Sequence, residues 1–515
     1  MNTCELLEIS SSIVPDRTAV IFENQKFSYK EINQRSNLLA NAFSEMGIEK
    51  GDRIALLDVN SNQHIETYFA AAKLDAIYVP INYRLKEVEL LKVLEAAKPK
   101  IVLFGNRYVK LIHDCVNKIQ SVKKYISLET TSGQFIQYET LLTNGNPEEV
   151  YPTHEDSDLT MIMFTSGTTG TPKGVMLSHE SFTSYTLNNV SPADPEVKES
   201  NLLSVPMYHI AGIQAMISGI YAGRTLIIQK QFEPTEWLQL VQDKLVNRAM
   251  MVPTMLKTII EHPNFTDYNL RSLEVITYGA APMPVTVILD AIDKFPHVKF
   301  INAFGQTESG ATITALMPDD HKIEGNNTEK NLKIRRLSSI GKPLEDIEIR
   351  IVDESGNELK TGNIGEIIAR GSRIMKGYWE QTSETSHAIK NNWLHTGDLG
   401  YFDNDGYIFL VGRSKDIIKR GGELISPAEI EDIIQKHISI IDCAVIGVPD
   451  DQWGEKILAI IVADDSNSVN EEIIIDFCHE NLASYKKPES VIFVDAIPRN
   501  PLGKINKQFL RDSYG

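Results

Sequence analysis

Residues 164–174 read Phe-Thr-Ser-Gly-Thr-Thr-Gly-Thr-Pro-Lys-Gly, with glycines at 167, 170 and 174, four threonines, one serine and Lys173. Glycines let the backbone turn tightly and approach a ligand, the hydroxyls offer donors, and the lysine adds a positive charge. Such an array suits a polyphosphate, whose many oxygens need a concave set of donors. It departs from the Walker A loop, which needs Gly-Lys-Ser/Thr five residues after its first glycine, where this chain has Pro172. Its composition alone also fits a polar surface loop.

Further segments carry chemistry downstream: Tyr278-Gly-Ala-Ala-Pro-Met-Pro284, Asn302-Ala-Phe-Gly-Gln-Thr-Glu308, His395-Thr-Gly-Asp398, Gly412-Arg-Ser-Lys-Asp-Ile-Ile-Lys-Arg-Gly-Gly422 and Pro498-Arg-Asn-Pro-Leu-Gly-Lys-Ile505. Phe304 ends a strand candidate, where open α/β sheets bind ligands, so its ring would either stack on a base or pack in the core. Gly279, Ala280 and Ala281 are small enough for backbone to line the other edge of that base. Glu308 follows on the same turn, either as a hard oxygen ligand for Mg²⁺ beside phosphates or as a solvated carboxylate. Asp398 stands between Gly397 and Gly400, where it would accept from two ribose hydroxyls or simply serve a tight turn. Arg413 would hold the same sugar or the phosphate. Lys504, in a Pro/Asn-rich loop, reads on composition as a solvated lysine.

Alternating patterns supply the elements that must position these residues. Helical spacing over Tyr29–Gly47 and Gln63–Leu74 alternates with strand-like Arg53–Val59 and Ala76–Pro80. Strand, helix, strand at this spacing predicts βαβ units and a parallel sheet. The pattern resumes after residue 174 with strand candidates Ser200–Pro206, Thr225–Gln229, Leu273–Tyr278 and Val298–Phe304. From Ile340 the texture changes to short strands (Ile347–Asp353, Gly365–Arg370, Gly406–Val411) separated by turns such as Glu354-Ser-Gly-Asn357 and Asn404-Asp-Gly406, a small β subdomain. A last α+β unit has strand candidates Ile440–Gly447, Ile457–Val462 and Val491–Val494. The polar stretch Pro318–Arg336 reads as a surface loop. The expected fold is α/β, with a large N-terminal domain of βαβ-type subdomains, the small β subdomain and a small, mobile α+β C-terminal domain.

Composition narrows the function. The chain has 515 residues, so about three structural units are expected at roughly 100–200 residues each. Its 51 basic and 69 acidic residues leave a formal charge of −18, which argues against general affinity for nucleic acid or anionic membrane. The four cysteines lie far apart without CxxC spacing, which favours a reducing, cytoplasmic compartment. The first residues, MNTCELLEIS, lack the basic and apolar regions of a signal peptide, and the C-terminal Asp-Ser-Tyr-Gly is no peroxisomal SKL address. Ile213–Ile228 is too short and too interrupted to span a bilayer. No two glycines stand two residues apart, so GxGxxG loops are absent, as are GxSxG, HExxH and zinc-type Cys/His spacing.

Taken in order and at these separations, the motifs resemble the adenylate-forming superfamily, in particular its acyl- and aryl-CoA synthetases; the resemblance covers nearly the whole chain. It implies a ligase using ATP, Mg²⁺ and coenzyme A, with an acyl-adenylate made first and a thioester second. It implies a nucleotide site of Thr165, Ser166, Gly167, Thr168, Thr169, Gly170, Lys173, Gly279, Ala280, Ala281, Asn302, Ala303, Phe304, Gly305, Thr307, Asp398 and Arg413, with Glu308 on the metal. Phe304 stands where relatives more often have Tyr, keeping the stacking face and losing the hydroxyl. Lys504 is implied as the catalytic lysine of adenylation and Lys415 as a hinge at 413–415, between an AMP-binding domain over 1–412 and a C-terminal domain over 416–515. Lys419, Gly421 and Gly422 would line a channel for the pantetheine arm.

His209 matches the family's gate between acid and thiol, although a histidine there would also serve as a packed core residue. Met207, Ile213, Tyr278 and Gly279 complete the implied acid pocket. Met207–Met216 contains no acidic residue, which counts against an amino-acid substrate because a buried ammonium would lack its partner. The pocket suits an apolar acid, with a fatty acyl chain favoured over an aryl or cinnamic-type acid. The partners expected are the acid, ATP and CoA, with no integral membrane segment; a carrier-protein phosphopantetheine as the alternative acceptor, a homodimer and a non-catalytic nucleotide-binding module stay open.

Overall fold

The computed structural model describes residues 1–515 except 117, 130–134, 154, 166–171, 422, 451, 465–468 and 500–504. The fold is mixed α/β. By contacts it divides into one unit of Met1–Ile349 with Ala369–Leu394, and a smaller one of Arg350–Ile368 with His395–Gly515. Both sides of the expected boundary at 412 therefore lie in the second unit.

Two large sheets form the first unit. The nine-stranded sheet runs Lys342–Pro343, Ala311–Leu316, Lys299–Gln306, Val275–Gly279, Arg248–Met251, Ser200–Leu203, Thr225–Ile228, Thr18–Phe22 and Gln25–Ser28 in spatial order. The eight-stranded sheet runs Gly377–Tyr378, Lys173–Ser178, Leu159–Thr165, Ile77–Pro80, Arg53–Leu57, Ile101–Phe104, Lys124–Ser127 and Ile136–Gln137. The central strands pair in parallel, and Ile77–Pro80 and Ile101–Phe104 are buried at every residue. Continuous apolar runs are what a strand needs when both faces of its sheet are covered. Helices between the strands do the covering. Tyr29–Glu45 is set by a capping box: Ser28 accepts from the Glu31 N–H and Glu31 accepts from the Ser28 N–H at 2.7 Å. Asn62–Lys73, almost wholly buried, links Arg53–Leu57 to Ile77–Pro80 as the sequence predicts. Asn60 ties the strand ends of the two sheets together, its amide donating to the carbonyls of Val205 (3.1 Å) and Gln229 (3.2 Å) while its oxygen accepts from the Met207 N–H at 2.8 Å.

Further along the chain, Glu348–Val352, Gly365–Arg370, Trp393–Phe402 and Ile389–Lys390 form a five-stranded sheet, with Ile408–Arg413 paired to Trp393–Phe402. The two expected turns form as Asp-initiated loops: Asp353 accepts from the Ser355 and Asn357 N–H groups, Asp403 from those of Asp405 and Tyr407. The last sheet runs Glu423–Ile425, Ile418–Arg420, Gly454–Ala463 and Ile440–Asp450, with Ser490–Phe493 added parallel to Gly454–Ala463. Helices Pro427–Ile434 and Glu471–Asn481 contribute to one core of this sheet and Leu510 of Lys507–Tyr514 to another.

One expectation is corrected. Pro318–Arg336 is not a loop: Pro318–His321 is a 3₁₀ turn and Asn327–Arg336 an α-helix with no buried residue. Its polarity hid it, because the helix is held by an Asn326/Glu329 capping box and has no apolar stripe to betray its period. No helix among the described residues is long and apolar enough to cross a membrane.

Asp58, which follows Arg53–Leu57, is 7% exposed, and a Cβ on neighbouring Gly105 would lie 2.4 Å from its carboxylate carbon. Burial pushes the Asp58 carboxyl up to about 6, against the opposing hydrogen bond from the Val59 N–H. The folded state thus binds this proton more tightly than the unfolded chain does. Its stabilising contribution is present below pH ~4 and is lost as pH rises through about 6, at most ~3 kcal/mol. Asp58→Asn should therefore raise the thermal midpoint at pH 7.5 and leave it unchanged at pH 4; an equal shift at both would disprove the titration.

Candidate active site

Strand Leu159–Thr165 pairs antiparallel with Lys173–Ser178, which sets Thr165 opposite Lys173. The hydroxyl of Thr165 donates to the Lys173 carbonyl at 3.4 Å. Of the phosphate-loop residues, Ser166, Gly167, Thr168, Thr169 and Gly170 lie outside the described residues. Lys173 is held from three directions. Its backbone is in the strand, its ammonium pairs with Glu384, and it sits over the ring of Tyr378, 5.1 Å from the centroid. The Tyr378 hydroxyl in turn donates to Glu308 Oε1 at 3.0 Å. Lys173 and Glu308 thus belong to one connected group.

On the nine-stranded sheet, Gly279 and Ala303 are cross-strand partners, and a Cβ on Gly279 would stand 2.0 Å from the Ala303 carbonyl oxygen. Gly305 is equally constrained, with the Ala311 carbonyl oxygen at 1.8 Å from its would-be Cβ. The next residue after Gly279, Ala280, has a left-handed φ of 64°, an uncommon conformation for alanine that turns the chain sharply at the strand end. Ala280 and Ala281 are exposed and Phe304 half-buried, so the Phe304 ring is not wholly committed to the core. Asn302 is turned inward, its amide donating to the Ser339 carbonyl at 3.3 Å. Tyr278 is fully buried, its hydroxyl hydrogen-bonded to His321 at 2.9 Å. Burial lowers the His321 imidazole to about 4, which keeps it neutral at physiological pH. Thr307 opens the 3₁₀ turn Thr307–Ser309, with Glu308 half-buried at its centre.

His209 is the N-cap residue of helix Ile210–Tyr221 and is half-buried, its ring 4.4 Å from that of Tyr208, which packs edge-on against Tyr83 at 5.1 Å. Gly212 lets this helix close on the preceding turn, since a Cβ there would meet the Pro206 carbonyl oxygen at 2.4 Å. Met207, Ile213 and Met216 are fully buried.

In the second unit, Asp398 and Arg413 face each other across an antiparallel pair, and Arg413 Nε meets Asp398 Oδ1 at 2.8 Å. Arg413 also donates to the Thr396 carbonyl at 3.0 Å. Lys415 is exposed in the turn after Arg413, and the next residue, Asp416, pairs with Arg511 of the last helix at 2.8 Å. Lys419 is exposed, and Gly421 has φ +58° with the Trp453 ring 3.1 Å from its would-be Cβ. Gly422 and Lys504 lie outside the described residues. Flanking them, Arg499 pairs with Asp442 at 2.6 Å and Lys507 with Glu431 at 2.7 Å.

Comparison with known proteins identifies the family. The model of the AMP-binding enzyme family matches residues 7–379, and that of the AMP-binding enzyme C-terminal domain matches 429–504. The chain belongs to the AMP-binding enzymes. A long-chain-fatty-acid–CoA ligase, FadD13 of Mycobacterium tuberculosis, is 34% identical over 492 residues, covering 95% of this chain and 93% of that one. A feruloyl-CoA synthase of Amycolatopsis is 30% identical over 502 residues, covering 97% and 96%. Among solved structures, the amide bond synthetase McbA of Marinactinospora thermotolerans superposes with a TM-score of 0.88 at 26% identity, covering 99% of both chains. The AMP-binding enzyme described here is in the acyl/aryl-CoA synthetase branch, an AMP-forming acid–thiol ligase that uses ATP.

Two members of the Lys173 group escaped the motifs. Tyr378 and Glu384 stand about 200 residues away in sequence, and only the Gly377-Tyr378 pair ahead of a Thr-rich turn hinted at an element there. The donor chemistry also bears on Mg²⁺. Among the described residues no three His, Cys, Asp or Glu side chains converge as a metal cage. A lone carboxylate at Glu308 fits a Mg²⁺ that takes its remaining ligands from substrate phosphates and water, the usual arrangement for that ion.

Gly279→Ala should force the two strand ends apart. Its expected cost is ~1–3 kcal/mol, read as a lower thermal midpoint together with slower pyrophosphate release. A variant indistinguishable from the parent in both would mean that the strand ends have room to spare.

Proposed function

We propose that this ligase joins an apolar carboxylic acid to coenzyme A, with a fatty acid favoured over an aryl or cinnamic-type acid. The observation that carries this reading is the segment Met207–Met216, whose residues Met207, Ile213 and Met216 are fully buried and which holds no acidic residue for a substrate ammonium. The similarity to a long-chain-fatty-acid–CoA ligase, slightly higher than that to a feruloyl-CoA synthase, points the same way. Four buried free thiols fit a reducing, cytoplasmic setting.

The chemistry begins with two anions. The acid's carboxylate oxygen attacks the α-phosphorus of ATP, the bond to the β-phosphate breaks, and pyrophosphate leaves. At ~4 Å two like charges repel by about 1 kcal/mol in water and several in a partly desolvated site. Lys173 and the Thr/Ser hydroxyls after Thr165 would take charge from the pyrophosphate, and Lys504 from the attacked phosphoryl oxygens. Glu308 would hold Mg²⁺, whose contribution when bound is further neutralisation of the phosphates. Phe304 would face the adenine, backed by the close-packed Gly279 and Ala303, and Asp398 would accept from the ribose hydroxyls with Arg413 fixing its orientation. In the second half the thiol of CoA attacks the acyl carbonyl and AMP departs, with His209 gating the acid and Lys419, Gly421 and Gly422 lining the thiol's path. Trp453, 46% exposed beside Gly421, would add an aromatic wall. We infer that residues 413–415 are the hinge between an AMP-binding portion over 1–412 and a C-terminal portion over 416–515, which swings between the two halves of the reaction. A carrier-protein phosphopantetheine offers the same thiol and is the second acceptor to be assayed.

The test measures each half-reaction separately, with fatty and aromatic acids and with CoA and a carrier protein. Lys504→Ala should cut adenylate formation by about 10²–10³ while a supplied acyl-adenylate still reacts with the thiol. Lys415→Pro should do the reverse, because proline fixes φ and stiffens the hinge. Equal losses in both halves for both variants would refute the two-pose mechanism, and pyrophosphate release with aromatic acids alone would overturn the fatty-acid preference.

A further inference from the structure

We propose that Glu384 is a positioning residue for Lys173, setting how much positive charge that lysine offers to the triphosphate of ATP and to the departing pyrophosphate. The inference rests on the assignment of Lys173 to the phosphates made above.

Glu384 reaches Lys173 on a fastened segment. The strand Gly377–Tyr378 pairs antiparallel with Val175 and Met176, and the Trp379 N–H donates to the Gly174 carbonyl at 2.7 Å. The Gln381 amide donates to the carbonyl of Pro172, the residue before Lys173, at 3.0 Å. Thr385 accepts from the Tyr378 N–H at 2.8 Å and donates to the Gln381 carbonyl at 2.9 Å, which closes the turn. Gly377 has φ +137°, and a Cβ there would lie 2.6 Å from Thr385 Cγ2. The segment is therefore locked to the two residues that precede and follow Lys173 as well as to itself.

A lysine at the end of a hairpin strand ordinarily samples many rotamers, and an exposed ion pair seldom restrains it. Here the lysine side chain is 22% exposed, against 42% for Glu384, and its ammonium is held between a carboxylate and an aromatic face, both on the same fastened segment. The hydrogen bond from Lys173 keeps the Glu384 carboxyl below the usual range, so it stays charged at neutral pH. Two consequences follow for a phosphate at this lysine. Its position is fixed before binding, which reduces the ordering cost. Its charge is shared with Glu384, which weakens the grip on pyrophosphate and favours release. The Tyr378 hydroxyl on Glu308 extends the same linkage to the proposed metal carboxylate.

Equilibrium titration of the full chain with ATP and with inorganic pyrophosphate, in the presence of Mg²⁺, tests this. Glu384→Gln should bind both about two- to fivefold more tightly, and the gain should shrink at ~1 M salt. Glu384→Asp, which keeps the charge at shorter reach, should fall between parent and Gln variant. The KM for the acid should not move. Equal or weaker pyrophosphate binding by Glu384→Gln, with or without a lower thermal midpoint, would overturn the proposal and leave Glu384 a structural partner. If the parent protein bound neither ATP nor pyrophosphate, the phosphate assignment of Lys173 would itself fall, and this proposal with it.

Discussion

The return of residues 375–381 to the edge of the Lys173–Ser178 strand is the pairing on which the site of the first unit depends. Lys376 and Trp379 donate to the Met176 and Gly174 carbonyls at 2.9 and 2.7 Å, extending the eight-stranded sheet by one short strand. This pairing brings Tyr378 and Glu384 to a lysine about 200 residues earlier. Met375 completes the junction by donating to the Glu308 carbonyl at 2.9 Å, so the same segment touches the end of the nine-stranded sheet. Backbone hydrogen bonds thereby set the distance between groups whose side chains do the electrostatic work.

That division of labour recurs. Gly279 and Gly305 matter for what they lack, since their neighbours' carbonyl oxygens occupy the space a side chain would need. Close packing of backbone at a strand end yields a rigid wall, and a rigid wall is useful where a flat ligand must be held against it. In the second unit the Asp398–Arg413 pair is likewise a product of register, two residues placed opposite each other by a hairpin.

Much of this was legible in the sequence. Strands such as Arg53–Leu57 and Ile77–Pro80 announce themselves because burial on both faces demands unbroken apolar runs. The Asn404-Asp-Gly406 turn is legible too, whereas the Asp398–Arg413 opposition is a matter of register between Trp393–Phe402 and Ile408–Arg413 that the sequence pattern does not reveal. Side-chain direction was less accessible. Tyr278 and Asn302 stand in the expected motifs, yet the hydroxyl of one is bonded to His321 and the amide of the other to the Ser339 carbonyl. Those partners are 43 and 37 residues distant, and no local pattern encodes them. Glu384 was invisible for the same reason on a larger scale. The Asn327–Arg336 helix is hard to read for the opposite reason: its cap is encoded locally, but it has no apolar stripe to show a helical period.

That helix has a consequence for local dynamics. With no buried residue, it is fastened by its cap and by polar contacts such as Lys333 to the Asp319 carbonyl at 2.8 Å and Arg336 to Asp320 at 3.6 Å. With no side chain packed into a core, this element should open at lower free energy than the buried strands. Its amide protons will exchange with solvent long before those of Ile101–Phe104, and a protease or an inserted loop will meet little resistance there. The chain thus combines strands buried at every residue with a helix that contributes nothing to a core.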